Sequence, residues 1–200
     1  MTVNELREQI RARVGNEFRF AHILGVEEEC VRLAGFFGMS EEETHCLRVA
    51  GLLHDLTKQL KTPEQKALYE KYGIPFGETE ENSPKTLHAV TGAYLARELY
   101  PEFVNDTVFS SILTHTTGAE EMSLSQKLVY LADYIEPGRT YESCTRLRRL
   151  FYENPEGLEK EALLKKVLLL SFDQTLSELI EENAYIHPLT VAARNRILRE

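Results

Sequence analysis

Apolar positions recur at helical spacing along almost the whole chain, and the two-residue alternation of a half-buried strand is nearly absent. Ser40 precedes EEETHCLRVAGLLHDL with Glu43 three residues on, the pattern of a capping box. Thr62 and Pro63 open EQKALYEKY, which Gly73 closes. Ser83 and Pro84 open KTLHAVTGAYLARELY, which ends before Pro101. Asn105 is placed to cap DTVFSSILTH, and Ser123 to cap LSQKLVYLADYI, halted by Pro137 and Gly138. YESCTRLRRLFYE follows, then Asn154 and Pro155 open a long amphipathic segment reaching about Asn183, and Pro188 begins LTVAARNRILR. Only GIPFGETEENS, residues 73–83, reads as an extended loop. The pattern predicts an all-α bundle forming one domain over residues 1–200.

Composition narrows the function. Hydrophobic content of 42% and charged content of 28% are those of a globular chain rather than a disordered one. A net charge of −9 speaks against a general grip on a nucleic-acid polymer or an anionic membrane, both of which need a basic stripe. It leaves room for a small phosphorylated substrate, because local cations or a bound metal reverse the field inside one cleft. The longest strongly apolar run, VLLLSF, is too short to span a bilayer, and the charged, amphipathic start is unlike a signal peptide. Cys30, Cys46 and Cys144 are odd in number and lack C-x-x-C spacing, which argues against a disulfide framework or a thiolate zinc site. The expected location is the cytoplasm.

One segment departs from the apolar plan. VAGLLHDLTKQL begins as a buried helix and then places His54, Asp55 and Lys58 within five positions, each costly to bury alone. His22, His88 and His115 likewise sit in separate predicted helices or at their ends, among apolar neighbours, and Asp133 interrupts the apolar run YLADYI. Imidazoles and carboxylates from five helices, with no thiolate, form the kind of site that bundles build for metals; manganese, iron, cobalt or zinc all accept these donors. His45, nine residues before His54, points to the opposite helix face and reads as a surface or packing residue. Lys58 follows Asp55 by three residues and Arg19 precedes His22 by three, so both cations share a face with the cluster; each fits phosphate oxygens or a solvated surface. No phosphate-binding loop, dinucleotide fingerprint, H-E-x-x-H or G-x-S-x-G competes with this chemistry.

His22, then His54–Asp55, then Asp133 resembles the H…HD…D signature of the HD-domain metal-dependent phosphohydrolases. The additional His88 and His115 are similar to the branch that holds two metals. RFAHILGV, AGLLHDLTK, LHAVTGA, ILTHTTG, LADYIEPGR and HPLTVAARN together resemble the YqeK-type symmetrical bis(5′-nucleosyl)-tetraphosphatases, over most of the chain. The resemblance implies an HD-type helical bundle with a metal centre in its core, built from about residues 19–139, with the helices of 155–200 packed on it. It implies symmetrical cleavage of diadenosine tetraphosphate to two ADP by a di-iron or related dinuclear centre. Carried over by position, His22, His54, Asp55, His88, His115 and Asp133 are metal ligands, with Asp55 bridging. Asp55 and Lys58 are the catalytic pair, and Arg19, Lys58, Thr116 and Arg139 hold phosphates around Asp55 and Asp133. The implied partner is a small dinucleoside polyphosphate; a homodimer is left open, as is another nucleotidase of the superfamily or a module that binds nucleotide without turnover. Two positions depart from the family pattern, Ile23 for threonine and Thr57 for alanine, and neither is expected to touch a ligand. Arg194 and Asn195 fit helix packing or a nucleotide contact, and His187 fits a turn before Pro188 better than a nucleotide contact.

Overall fold

The computed structural model describes residues 1–200 and contains helices and no strand. Eleven α-helices follow one another: α1 (Val3–Val14), α2 (Glu17–Phe37), α3 (Glu41–Leu53), α4 (Thr62–Lys71), α5 (Glu78–Asn82), α6 (Leu87–Leu99), α7 (Asp106–Thr114), α8 (Leu124–Ile135), α9 (Glu142–Glu153), α10 (Lys160–Glu181) and α11 (Pro188–Arg199). Helix α2 packs along α3 and α8, and α7 fills the space between α3, α6 and α8. Helices α9 and α10 cover α8, and α11 lies on α10. Leu33, Leu47, Leu52, Leu53, Ile112 and Leu128 are fully buried where the central helices meet. Removing such side chains from water is the main stabilising contribution, about 1.5–3 kcal/mol for each. No helix is long and apolar enough to cross a membrane.

The local signals act as their chemistry requires. Ser40 accepts from the Glu43 amide while Glu43 accepts from the Ser40 amide at 2.8 Å. The Asn105 side chain accepts from the Val108 amide at 3.0 Å, and Ser123 with Gln126 repeats the reciprocal box. Cys30, Cys46 and Cys144 are free thiols, as the spacing predicts.

Four boundaries differ from the sequence pattern. Helix α4 begins at Thr62 itself, with the Lys61 amide donating to Glu64 at 2.8 Å, so Thr62 is inside the helix rather than its cap. Pro84–Thr86 forms a 3₁₀ turn, with the Thr86 amide donating to the Ser83 carbonyl at 3.0 Å, and α6 starts only at Leu87. Residues 73–83 are not all loop: α5 forms where the Glu80 carboxylate accepts the Gly77 amide at 2.9 Å and acids fill its first turn, next to the positive helix end. Asn154 ends α9 instead of opening α10; it takes a left-handed φ of 39°, and its amide side chain exchanges hydrogen bonds with the Leu158 backbone, so α10 starts at Lys160.

Candidate metal centre

Two of the site histidines are produced by the same local device. Helix α3 stops at Leu53 and α7 at Thr114, so His54 and His115 each occupy the position just past a helix end. Carbonyls of a last turn lack partners within the helix. His54 Nδ1 donates to Gly51 O at 2.7 Å, and His115 Nδ1 donates to Ile112 O at 2.7 Å. Each ring thereby spends its proton on Nδ1 and presents an unprotonated Nε2 to the interior. Past His54 the chain tightens into i→i+3 hydrogen bonds, Leu56 to Leu53, Lys58 to Asp55 and Leu60 to Thr57. Side chains three apart eclipse in such a turn, which sets Lys58 Nζ 4.0 Å from Asp55 Oδ1.

Helix α2 contributes His22, α6 contributes His88 and α8 contributes Asp133. His22 Nε2 lies 3.3 Å from His54 Nε2, and His88 Nε2 lies 3.1 Å from His115 Nε2. Asp55 stands between the two imidazole pairs. Its Oδ1 is 3.3 Å from His88, 3.7 Å from His54 and 3.8 Å from His115, while its Oδ2 is 4.0 Å from His22. Asp133 Oδ1 lies 3.1 Å from His22 and 3.8 Å from His54. All six residues expected to be ligands are therefore brought together, as three overlapping triads: His22–His54–Asp55, His54–His115–Asp133 and Asp55–His88–His115.

The cluster's electrostatics fit a cation. The Nε2 lone pairs of His54 and His115, whose protons are committed to carbonyls, lie within 4.8 Å of each other and of an Asp133 oxygen, a buried donor set that a cation would satisfy. Burial lowers the pKa of His54 and His88, and drives that of His115 well down with help from the neighbouring rings. Neutral imidazole is the ligating form. Burial opposes ionisation of Asp55, but His54, His88 and Lys58 outweigh it and hold the carboxyl well below its usual range. Arg139, with His22, does the same for Asp133 against a similar burial cost. At His22 burial is outweighed by hydrogen bonds to Asp133 and Glu136, and the ring is pushed up to about 9. Four nitrogen donors and two anionic carboxylates without a thiolate match a site for manganese, iron, cobalt or zinc.

Cations ring this centre. Arg19 Nη1 pairs with Asp55 Oδ2 at 3.0 Å, and Arg139 reaches both the side chain of Asp133 at 2.5 Å and its backbone carbonyl at 2.8 Å. Lys58 Nζ lies 3.0 Å from His88 Nε2, and burial lowers its pKa. Thr116 Oγ1 is 3.0 Å from His115 Nε2 and 3.2 Å from His88 Nε2. A cavity of about 470 Å³ opens from Lys58, His115, Thr116, Asp133 and Arg139 toward Tyr134, Tyr141 and Thr175, a size suited to a small-molecule ligand.

Three participants escape sequence reasoning. Glu136 is buried, accepts from His22 Nδ1 at 3.1 Å and takes the Gly138 amide at 2.5 Å. Its signal was an acid one helical turn after Asp133, in the same LADYIEPGR segment. Arg148 donates to the carbonyls of Ile135, Glu136 and Arg139 and so fixes the turn that carries both Glu136 and Arg139. Thr57, expected to stand clear of the ligands, donates through Oγ1 to the His88 carbonyl at 3.0 Å and contacts Thr91 Oγ1 at 2.8 Å. The short turn after α3 buries its side chain against α6, a placement that spacing alone does not give. His45 is exposed, and His187 caps α11 by accepting the Leu189 amide at 3.2 Å. Arg194 pairs with Asp173 of α10 at 2.7 Å, a packing contact between the last two helices.

A family model described as HD domain matches residues 19–138. A symmetrical bis(5′-nucleosyl)-tetraphosphatase of Halalkalibacterium halodurans is 29% identical over 189 residues, 92% of this chain and 91% of that protein. Its namesake in Bacillus subtilis is 29% identical over 180 residues, 90% of this chain and 89% of that protein. A crystal structure from Clostridium acetobutylicum, described as a predicted HD superfamily hydrolase involved in NAD metabolism, superposes with a TM-score of 0.86 at 32% identity, covering 100% of this chain and 98% of that one.

Proposed function

The chain belongs to the HD domain family, and on that premise we propose that it is a metal-dependent phosphohydrolase that cleaves diadenosine tetraphosphate with water into two ADP. The observation that carries the reading is the position of Asp55, whose two oxygens face different imidazoles and which lies beside Lys58 and His115, two residues that line a cavity also bordered by Arg139. Two divalent ions held there, iron first among the metals these donors accept, would acidify a water for attack and draw charge from the phosphoryl oxygens.

The remaining work falls to side chains of this chain. Asp55 lies between the His22–His54 and His88–His115 pairs and would hold the ions together with those four rings, and Asp133 would complete the set on the His22 side. Carbonyl-anchored Nδ1 atoms keep His54 and His115 from rotating or changing tautomer. Lys58, Arg19 and Arg139 neutralise non-bridging oxygens and the leaving diphosphate, which is the positioning and charge stabilisation that phosphoryl transfer requires. Thr116, beside Lys58 at the cavity floor, offers a hydroxyl to the same oxygens. One ADP-like half held by Lys58, Thr116 and Arg139 in the cavity would direct cleavage to the middle anhydride, which leaves two nucleoside diphosphates.

Incubation with diadenosine tetraphosphate and a divalent metal, followed by chromatography, tests the reading. ADP as the sole nucleotide product is expected. ATP plus AMP would replace it with asymmetric cleavage, and no product would leave another nucleotidase activity or a non-catalytic nucleotide site. The similarity to symmetrical tetraphosphatases over nine-tenths of the chain supports the first outcome.

A further inference from the structure

Large aromatic side chains on a protein surface are usually scattered, and single ones need no explanation. Here the two most exposed large hydrophobic residues of the chain are Phe18, at 89%, and Tyr141, at 69%, and each lies within two positions of an arginine that pairs with a carboxylate of the centre. Phe18 precedes Arg19, the partner of Asp55, and lies four residues before His22, so it shares the helix face that carries that ring, about one 5.4 Å turn away. Tyr141 follows Arg139, the partner of Asp133, by two residues and lines the cavity. Each aromatic ring is thus paired with a cation that contacts one of the two carboxylates of the centre, and the two stand on different elements, one at the start of α2 and one in the turn before α9.

This pairing matches a ligand with an aromatic group at each end of a polyanion. Resting on the phosphohydrolase reading above, we infer that Tyr141 and Phe18 are the stacking platforms for the two nucleobases of a dinucleoside polyphosphate, Tyr141 for the half in the cavity and Phe18 for the half that leaves along α2. Bases stack on exposed aromatic side chains whatever their sequence identity, and loss of one platform costs roughly tenfold in affinity. Phe18 therefore sets the preference for substrates carrying two nucleosides over those carrying one.

The test compares diadenosine tetraphosphate with adenosine 5′-tetraphosphate, which lacks the second nucleoside, in the metal-loaded wild type, F18A, F18W and Y141A. F18A is expected to raise KM for the dinucleoside substrate roughly tenfold while moving KM for the mononucleoside less than about twofold, with kcat little changed. F18W restores the wild-type KM, and Y141A raises KM for both substrates. Because Phe18 is almost fully exposed, F18A should keep the thermal midpoint, which separates a binding loss from a folding loss. An unchanged dinucleoside KM in F18A, an equal rise for both substrates, or a change in solution mass showing that Phe18 seats a second copy would overturn the inference while leaving the hydrolase reading intact. A wild type that binds and cleaves neither compound would overturn both.

Discussion

His22 Nδ1 and Glu136 Oε1 lie 3.1 Å apart although 114 positions separate them in the chain. The contact ties the second turn of α2 to the residue just past α8 and orients the His22 ring so that Nε2 meets His54 and Asp133. A carboxylate behind a ligating imidazole fixes its tautomer and raises its basicity, and losing such a partner typically costs 10–100-fold in metal affinity or activity. Glu136→Gln should show a loss of that size in metal titration, with an unchanged circular dichroism spectrum. Wild-type affinity in this variant would reduce Glu136 to a packing residue.

Gly25, three residues after His22 on α2, also lies against that carboxylate. A Cβ there would collide with Glu136 Oε2 and crowd its Cδ at 3.1 Å. The colliding atom is a side-chain end, so the backbone has no need to move and the carboxylate is what yields. Gly25→Ala is expected to keep its melting temperature within a few degrees and to weaken metal binding in the manner of Glu136→Gln. A large drop in melting temperature with intact metal affinity would contradict this.

Asp55 and Lys58 separate metal binding from phosphate binding. Asp55→Ala should lose bound metal, measured by elemental analysis after purification without chelator, together with nearly all turnover. Lys58→Ala should retain the metal and bind nucleotide more weakly, with a fall in kcat/KM of roughly 10²–10³, the usual cost of removing one charge-stabilising donor. Full activity in metal-free Asp55→Ala protein would refute the scheme.

Gly118 closes the H-T-T-G turn with φ of +67°, and a Cβ would lie 2.8 Å from Ala193 Cβ and 2.9 Å from Phe172 Cζ. Left-handed backbone costs a non-glycine residue about 1–2 kcal/mol and overpacking a core about 1–3 kcal/mol. Gly118→Ala should therefore lose about 2–5 kcal/mol of unfolding free energy in urea titration. A loss under about 0.5 kcal/mol would mean that the α10–α11 layer moves aside freely.

Glu29 is fully buried on α2, accepts from Tyr152 and lies 3.2 Å from Arg32. Burial raises its pKa despite those two partners. A carboxyl whose folded pKa is raised stabilises the fold most fully below the unfolded value, near 4.5, and loses that contribution as pH climbs through the folded value. Glu29→Gln, permanently neutral, should therefore gain stability relative to wild type as pH rises from about 4 upward, then level off. Paired melts across that range read the difference directly; a flat or falling difference would show that Tyr152 and Arg32 outweigh burial.

Much of this was legible in the linear pattern because it depends on neighbours in the chain. The Ser40, Asn105 and Ser123 caps each satisfy an amide three positions away, and such contacts form wherever the helix forms. The failures have equally local reasons: Asn154 was ambiguous because asparagine both opens helices and ends them in the left-handed region, and Gly77–Asn82 carried a single capping acid in a turn-rich stretch. Glu136, Arg148 and Thr57 act across helices, through a ring on α2, a turn after α8 and a carbonyl on α6, and no spacing rule reaches those distances.

The sequence by itself determined the helical class, most helix starts and the residue types of the centre, since periodicity, capping and donor chemistry belong to the residues themselves. Only the tertiary structure decided that Asp55 turns one oxygen toward His88 and the other toward Arg19, that Glu136 stands behind His22, and that Tyr141 lines the cavity beside Asp133 and Arg139. Those relations follow from how α2, α3, α6, α7 and α8 pack, and packing is settled by the shapes of Leu33, Leu47, Ile112 and their neighbours acting together.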